Sequence, residues 1–139
     1  MSNTTSAQQA FRFRLDLASG VPVYRQIIDQ VQGGIAAGSL QPGDQLPTVR
    51  QVAVDLAINP NTVVRAYREL EIRGILETQQ GTGTFISRQK IKRDDLARRR
   101  QLSQLVNEFI SRAGAAGFTV AELMEQLQDV ASDNSSKRR

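Results

Sequence analysis

The feature that most restricts the fold is a pair of closely spaced helix starts followed at once by a glycine-rich hairpin, all between Thr48 and Ser87. Thr48 offers a side-chain oxygen suited to capping, and Val49, Val52, Ala53 and Leu56 then recur at helical spacing. Ala57-Ile58 leave room only for a tight connection before Asn59, a second N-cap, and Pro60, which fits a first helical position. Val63, Ala66, Tyr67 and Leu70 form the apolar stripe of this second helix, which ends at Gly74. Two helices joined so closely predict a helix-turn-helix. Residues 75–78 and 84–87 are β-prone and flank Gln79-Gln80-Gly81-Thr82-Gly83, whose glycines can take positive φ, so a hairpin wing is expected there.

The flanking segments add elements on both sides. Phe11, Phe13 and Leu15 alternate with Arg12, Arg14 and Asp16, the period of a short half-buried strand, which Ser19-Gly20 break. Pro22 sits where a first helical turn accepts it, and Tyr24, Ile27, Ile28, Val31 and Ile35 mark a helix running to Gly38. Gly33-Gly34 inside it cost roughly 1 kcal/mol each relative to Ala, so either a neighbour packs very close or the last turns fray. Gln41-Pro42-Gly43-Asp44 reads as a turn. From Asp94 a further helix carries Leu102, Leu105, Val106, Phe109, Ile110 and Ala113 on one stripe and closes at Gly114 and Gly117. Thr119 with Glu122 makes a capping box and Phe118 can staple onto Leu123, opening a last helix with Val120, Leu123, Met124 and Leu127 inside. The resulting fold class is mainly α with a small β-hairpin. Its predicted organisation is a disordered start (1–10), a winged helix-turn-helix domain (11–88), a basic linker (89–93), a two-helix segment (94–131) and a disordered polar tail (132–139).

Composition removes whole classes of chemistry. With no Cys and no His among 139 residues, thiol catalysis, disulfides, zinc fingers and imidazole bases are excluded, and neither enzyme activity, a cofactor nor a metal is expected. The start is polar and no apolar run approaches the roughly 18 residues of a membrane span, so a cytoplasmic chain without signal or anchor is expected. The net charge of +4 suits a polyanionic partner, but its distribution is uneven. Residues 11–88 hold eight Arg against seven acids, a balance of +1, whereas 89–100 hold six basic residues against two acids, a balance of +4.

On the helix opened by Asn59-Pro60, steps of about 100° per residue place Asn61, Arg65, Arg68 and Ile72 opposite the apolar stripe. An amide can read adenine edges, guanidinium groups can read guanine or hold phosphate, and Thr62 near the helix start can meet a phosphate or a thymine methyl. The plainer alternative is a solvated face whose arginines pair with Glu69 and Glu71. The glycine hairpin that follows favours DNA, since its tip fills no core but can approach a phosphate backbone.

The runs Leu46-Pro47-Thr48-Val49-Arg50, Asn59-Pro60-Asn61-Thr62-Val63-Val64-Arg65-Ala66-Tyr67-Arg68-Glu69-Leu70-Glu71 and Gly81-Thr82-Gly83-Thr84-Phe85-Ile86 closely resemble the GntR family of regulators. With Ser19-Gly20-Val21-Pro22-Val23-Tyr24-Arg25-Gln26-Ile27, the chain is similar to the YtrA subfamily of that family. Over residues 11–88 the resemblance implies DNA contacts from Arg50, from Asn61, Thr62 and Arg65, and from Gly81, Thr82 and Gly83 at the wing tip. Many relatives outside that subfamily carry Arg where this chain has Pro60 and Val64, so Asn61 and Arg65 are expected to bear more of the specificity, with Val64 available for a thymine methyl. Arg50 also has a plainer reading, a surface pair with Asp44 or Asp55. The cluster Lys90, Lys92, Arg93, Arg98, Arg99 and Arg100 reads first as solvated linker and helix face, with nonspecific DNA attraction as its alternative.

Two amphipathic helices alone make a thin core, marginal without a partner. Leu102, Leu105, Val106, Phe109, Ile110, Val120, Leu123, Met124 and Leu127 are therefore expected to form a homodimer interface. The resemblance implies the same plan, a winged domain with a short helical dimerisation segment, and control of a neighbouring transporter operon. Two recognition helices held about one DNA turn apart are expected to read a palindromic double-stranded operator, and repression by occlusion is the simplest mechanism for such a dimer. A sequence-indifferent architectural protein is the alternative within nucleic-acid biology. Any small-molecule effector is unidentified.

Overall fold

The computed structural model describes residues 11–88 and 95–137, and the chain divides into two compact units, Met1–Gln89 and Lys90–Arg139. The expected disordered start and basic linker lie outside the described residues. In the first unit the elements run α1 (Val23–Ala37), β1 (Gln45–Leu46), α2 (Val49–Leu56), α3 (Pro60–Ile72), β2 (Leu76–Gln79) and β3 (Gly83–Ile86). The second unit holds α4 (Asp95–Ala115) and α5 (Val120–Lys137).

Local chemistry explains where the helices of the first unit begin and stop. Pro22 is the N-cap of α1 rather than its first helical residue, and Gly38 closes the helix with φ 87°. Thr48 caps α2 by accepting from the Gln51 backbone N–H at 3.1 Å. Asn59 caps α3 by accepting from the Asn61 N–H at 2.8 Å, with Pro60 opening the helix. Between α2 and α3, Ala57 adopts φ 56°, the only positive φ outside glycine among the described residues. Its N–H bonds back to Val54 O at 3.2 Å, and the Ile58 N–H reaches Ala53 O at 3.0 Å, so the reversal needs no longer loop.

The core gathers Ile27, Ile28 and Val31 from α1, Val52 and Ala53 from α2, and Val63, Ala66, Tyr67 and Leu70 from α3. Leu40, Leu46, Leu76 and Ile86 close it beneath the sheet, while Tyr24, Ile35, Val49 and Leu56 lie half-buried at its edge. Each fully buried aliphatic side chain contributes about 1.5–3 kcal/mol. The close approach expected near Gly33-Gly34 occurs at Gly34 alone. A Cβ there would meet Leu40 at 3.0 Å and Phe11 at 3.1 Å, whereas Gly33 faces open space.

Three features differ from the sequence reading. The segment 11–16 keeps its alternation, with Phe13 buried and Arg12, Arg14 and Asp16 exposed, yet it is no strand, because among the described residues no segment pairs with it in a ladder. Two α1 glutamines take that place. Gln30 exchanges bonds with the backbone N–H and C=O of Arg14 at 2.9 and 2.6 Å, and Gln26 does the same with Asp16 at 2.9 and 3.0 Å. Secondly, the hairpin belongs to a three-stranded antiparallel sheet of order β1-β3-β2, in which Gln45 faces Phe85 and Leu46 faces Thr84. Thirdly, α5 continues to Lys137 through Ser132, where a disordered tail was expected. Residues 132–137 contain neither Gly nor Pro, and polarity alone does not break a capped helix.

In the second unit α4 passes through Gly114 before Gly117, at φ 91°, turns the chain. The capping box forms in both directions. Thr119 N–H donates to Glu122 Oε1 at 3.1 Å, and Glu122 N–H donates to Thr119 Oγ1 at 3.2 Å.

Candidate nucleic-acid interface

The helix α3 is positioned by its inner face. Val63, Ala66 and Leu70 are fully buried and Tyr67 nearly so, which fixes the helix's rotation about its axis and determines which residues face outward. The Tyr67 hydroxyl donates to Pro47 O at 2.6 Å, tying α3 to the segment that leads into the α2 cap. Burial pushes this phenol well above its ordinary pKa, so it remains a protonated donor.

The outward face carries Asn61, Arg65, Arg68 and Ile72, all exposed, with Ile72 showing 75% of its surface. Asn61, Val64, Arg65 and Arg68 line one open depression together with Glu69 and Ile72. Val64 and Thr62 are half-buried, Thr62 one step round the helix. The glutamates that could have neutralised this face are engaged elsewhere. Glu69 pairs with Arg73 at 2.9 Å, and Glu71 accepts from Thr78 Oγ1 at 2.9 Å. Among the described residues no ion pair involves Arg50, Arg65 or Arg68. Arg65 instead lies over the Tyr24 ring, 3.7 Å from its centroid.

Arg50 is exposed in the first turn of α2, and Asp55 accepts from Gln51 Nε2 at 3.1 Å rather than from Arg50. At the wing tip Gly81 and Thr82 are exposed, and the Thr82 N–H closes the turn on Gln79 O at 2.9 Å. Gly81 has φ 78°, a left-handed conformation that favours glycine. Gly83 has a structural duty as well: a Cβ there would lie 2.5 Å from Gln45 Nε2, the same amide that donates to Thr82 O at 3.2 Å. Gln45 thus buttresses the wing. Sequence reasoning missed it, because a two-residue strand carries no periodicity to detect. Arg50, the α3 face and the wing all lie in the unit Met1–Gln89, on α2 and β2, which pack against α3, and on the hairpin that β2 opens.

In the second unit the stripe residues are not covered. Leu102 is 61% and Phe109 49% exposed, and Leu105, Val106, Ile110, Val120, Met124 and Leu127 are likewise exposed, with Leu123 half-buried. Among the described residues of that unit only Ala113 is buried. Arg98, Arg99 and Arg100 lie exposed on the first turns of α4, while Lys90, Lys92 and Arg93 fall outside the described residues. No described helix is long and apolar enough to cross a membrane.

Comparison with known proteins places this geometry. Residues 23–86 match the family described as bacterial regulatory proteins, gntR family. The chain is 42% identical over 120 residues to the HTH-type transcriptional regulator Rv1152 of Mycobacterium tuberculosis, covering 86% of this chain and 94% of that one. It is 36% identical over 120 residues to the HTH-type transcriptional repressor YtrA of Bacillus subtilis, covering 86% and 92%. Among solved structures it resembles YtrA from Sulfolobus acidocaldarius, described as a GntR-family transcription factor, with 32% identity, TM-score 0.51 and coverage of 87% and 97%. A protein described as a transcriptional antiterminator from Listeria monocytogenes matches with 28% identity, TM-score 0.65 and coverage of 89% and 92%.

Proposed function

The chain belongs to the gntR family of bacterial regulatory proteins, is a DNA-binding transcriptional regulator of YtrA-like plan rather than an enzyme, and on that premise we propose that it is a dimeric, sequence-specific repressor of a palindromic operator. One observation carries the sequence-reading part. The outer face of α3 presents an amide and two guanidinium groups without a carboxylate partner among the described residues, on a helix whose inner face is locked in the core. In a major groove Arg65 and Arg68 reach guanine edges or phosphates, Asn61 suits adenine, and Val64 offers an apolar contact to a thymine methyl. Arg50, Thr62 and the exposed Gly81-Thr82 backbone serve as phosphate contacts that set register, with Gly83 shaping the loop.

The dimer reading rests on the uncovered stripes of α4 and α5. Two helices with their apolar faces in water are marginal, and a second copy would bury both. Two recognition helices held about one DNA turn apart then read a symmetric site. Occlusion of promoter DNA is the simplest mode of repression for such a dimer.

The test begins with the duplex that the full chain selects from a randomised pool. Arg65→Ala should lose about 1–3 kcal/mol of discrimination at particular base pairs of that duplex. Selection that yields no preferred sequence would instead describe an architectural protein held by phosphates alone.

A further inference from the structure

Tyr24 stands outside the recognition helix, yet its ring carries the Arg65 guanidinium at 3.7 Å. We propose that Tyr24 is a positioning residue for sequence reading, a platform that fixes the plane of Arg65 before DNA arrives; this rests on the regulator reading given above.

The geometry supports the proposal from three sides. The platform is anchored: Tyr24 is half-buried in the first turn of α1, which packs directly on α3. Two residues on, the buried Gln26 secures the chain entering α1, donating from Nε2 to Val21 O at 2.8 Å and to Asp16 O at 3.0 Å. The usual competitor is also withdrawn. Glu69 lies one turn beyond Arg65 and would draw its guanidinium along the helix, but it is paired with Arg73 at 2.9 Å. Finally, stacking occupies the face of a guanidinium and leaves its N–H edges available, and those edges make the paired hydrogen bonds to guanine. An arginine already held in plane loses less rotational freedom when it docks.

Binding is measured on the self-selected duplex and on its single-base-pair variants, with Tyr24→Phe, Tyr24→Leu, Arg65→Ala and the double variant Tyr24→Leu/Arg65→Ala. Tyr24→Phe keeps the ring and should discriminate like the parent chain. Tyr24→Leu should lose about 3- to 10-fold of discrimination at the base pairs read by Arg65, at an unchanged salt slope. The double variant should match Arg65→Ala alone. Ring-fluorinated phenylalanine at position 24 preserves shape while removing the negative ring face, and should reproduce the Tyr24→Leu loss even if Leu destabilises the fold. Full discrimination in the fluorinated variant, a uniform affinity loss in Tyr24→Phe, or a Tyr24→Leu effect that persists without Arg65 would each overturn the proposal. Failure of the parent chain to select any sequence would instead refute the regulator reading beneath it.

Discussion

The two units of this chain use equally good local signals and reach opposite ends. In Met1–Gln89, capped helices converge until Ile27, Val31, Val63, Ala66 and Leu70 are fully buried. In Lys90–Arg139, a reciprocal capping box and a glycine turn define two helices just as clearly, yet most of their large apolar side chains are exposed. Caps decide where a helix starts, and burial decides whether it persists. The winged unit supplies its own burial, whereas the helical unit leaves its stripes exposed for the second copy proposed above.

The largest effect should come from breaking the partnership proposed for the helical unit. Leu105→Asp combined with Phe109→Asp places charges in the middle of the exposed stripe and leaves every residue of the winged core unchanged. Light scattering should then show a monomer, and operator affinity should fall by about 10²- to 10⁴-fold, the range lost when two linked binding events become one. A variant that stayed dimeric would assign the stripe to another purpose.

The reciprocal experiment acts on the self-sufficient unit. Leu70→Ala empties a site with 0% exposure on α3 and should cost about 2–5 kcal/mol in denaturant unfolding. Because the lesion is confined to the winged core, the oligomeric state of the folded fraction should not change. Simultaneous loss of stability and dimer would show that the two units are energetically one.

The same contrast explains what the sequence disclosed. Helices with caps and full stripes were legible, since Thr48, Asn59-Pro60 and Thr119/Glu122 act within a few residues of chain. So was the outward face of α3, because the inner stripe fixes it by subtraction. Features dependent on distant partners were not. The segment 11–16 alternates like a strand but is satisfied by Gln26 and Gln30, and nothing local distinguishes a glutamine amide from a neighbouring strand. The strand β1 exists only because β3 lies beside it. The stacking of Arg65 on Tyr24 joins elements far apart in sequence, which no periodicity reveals.

A smaller effect should follow from loosening α3 without emptying the core. Tyr67→Phe removes the donor to Pro47 O and leaves that carbonyl without it, at a cost of about 1–2 kcal/mol in thermal unfolding. If the bond also sets the approach of α2, operator affinity should weaken evenly across sequence variants, because Arg50 at the start of α2 is read as a phosphate contact.

The smallest effect has the opposite sign. Ala57 holds φ 56° because the reversal between α2 and α3 requires a left-handed residue, and its methyl group pays a steric penalty that glycine would not. Glycine also gives the unfolded chain more freedom, which offsets part of the relief. Ala57→Gly should therefore raise stability by about 0.5–1 kcal/mol, seen as a small upward shift in the melting temperature of the winged unit, with the oligomeric state unchanged. A destabilised variant would mean that the freedom glycine gives the unfolded chain exceeds the strain released, since Ala57 is exposed and its methyl group has little to pack against. Such an outcome would show that this turn, unlike the self-contained core, contributes to the winged unit's stability through the unfolded chain's restricted freedom.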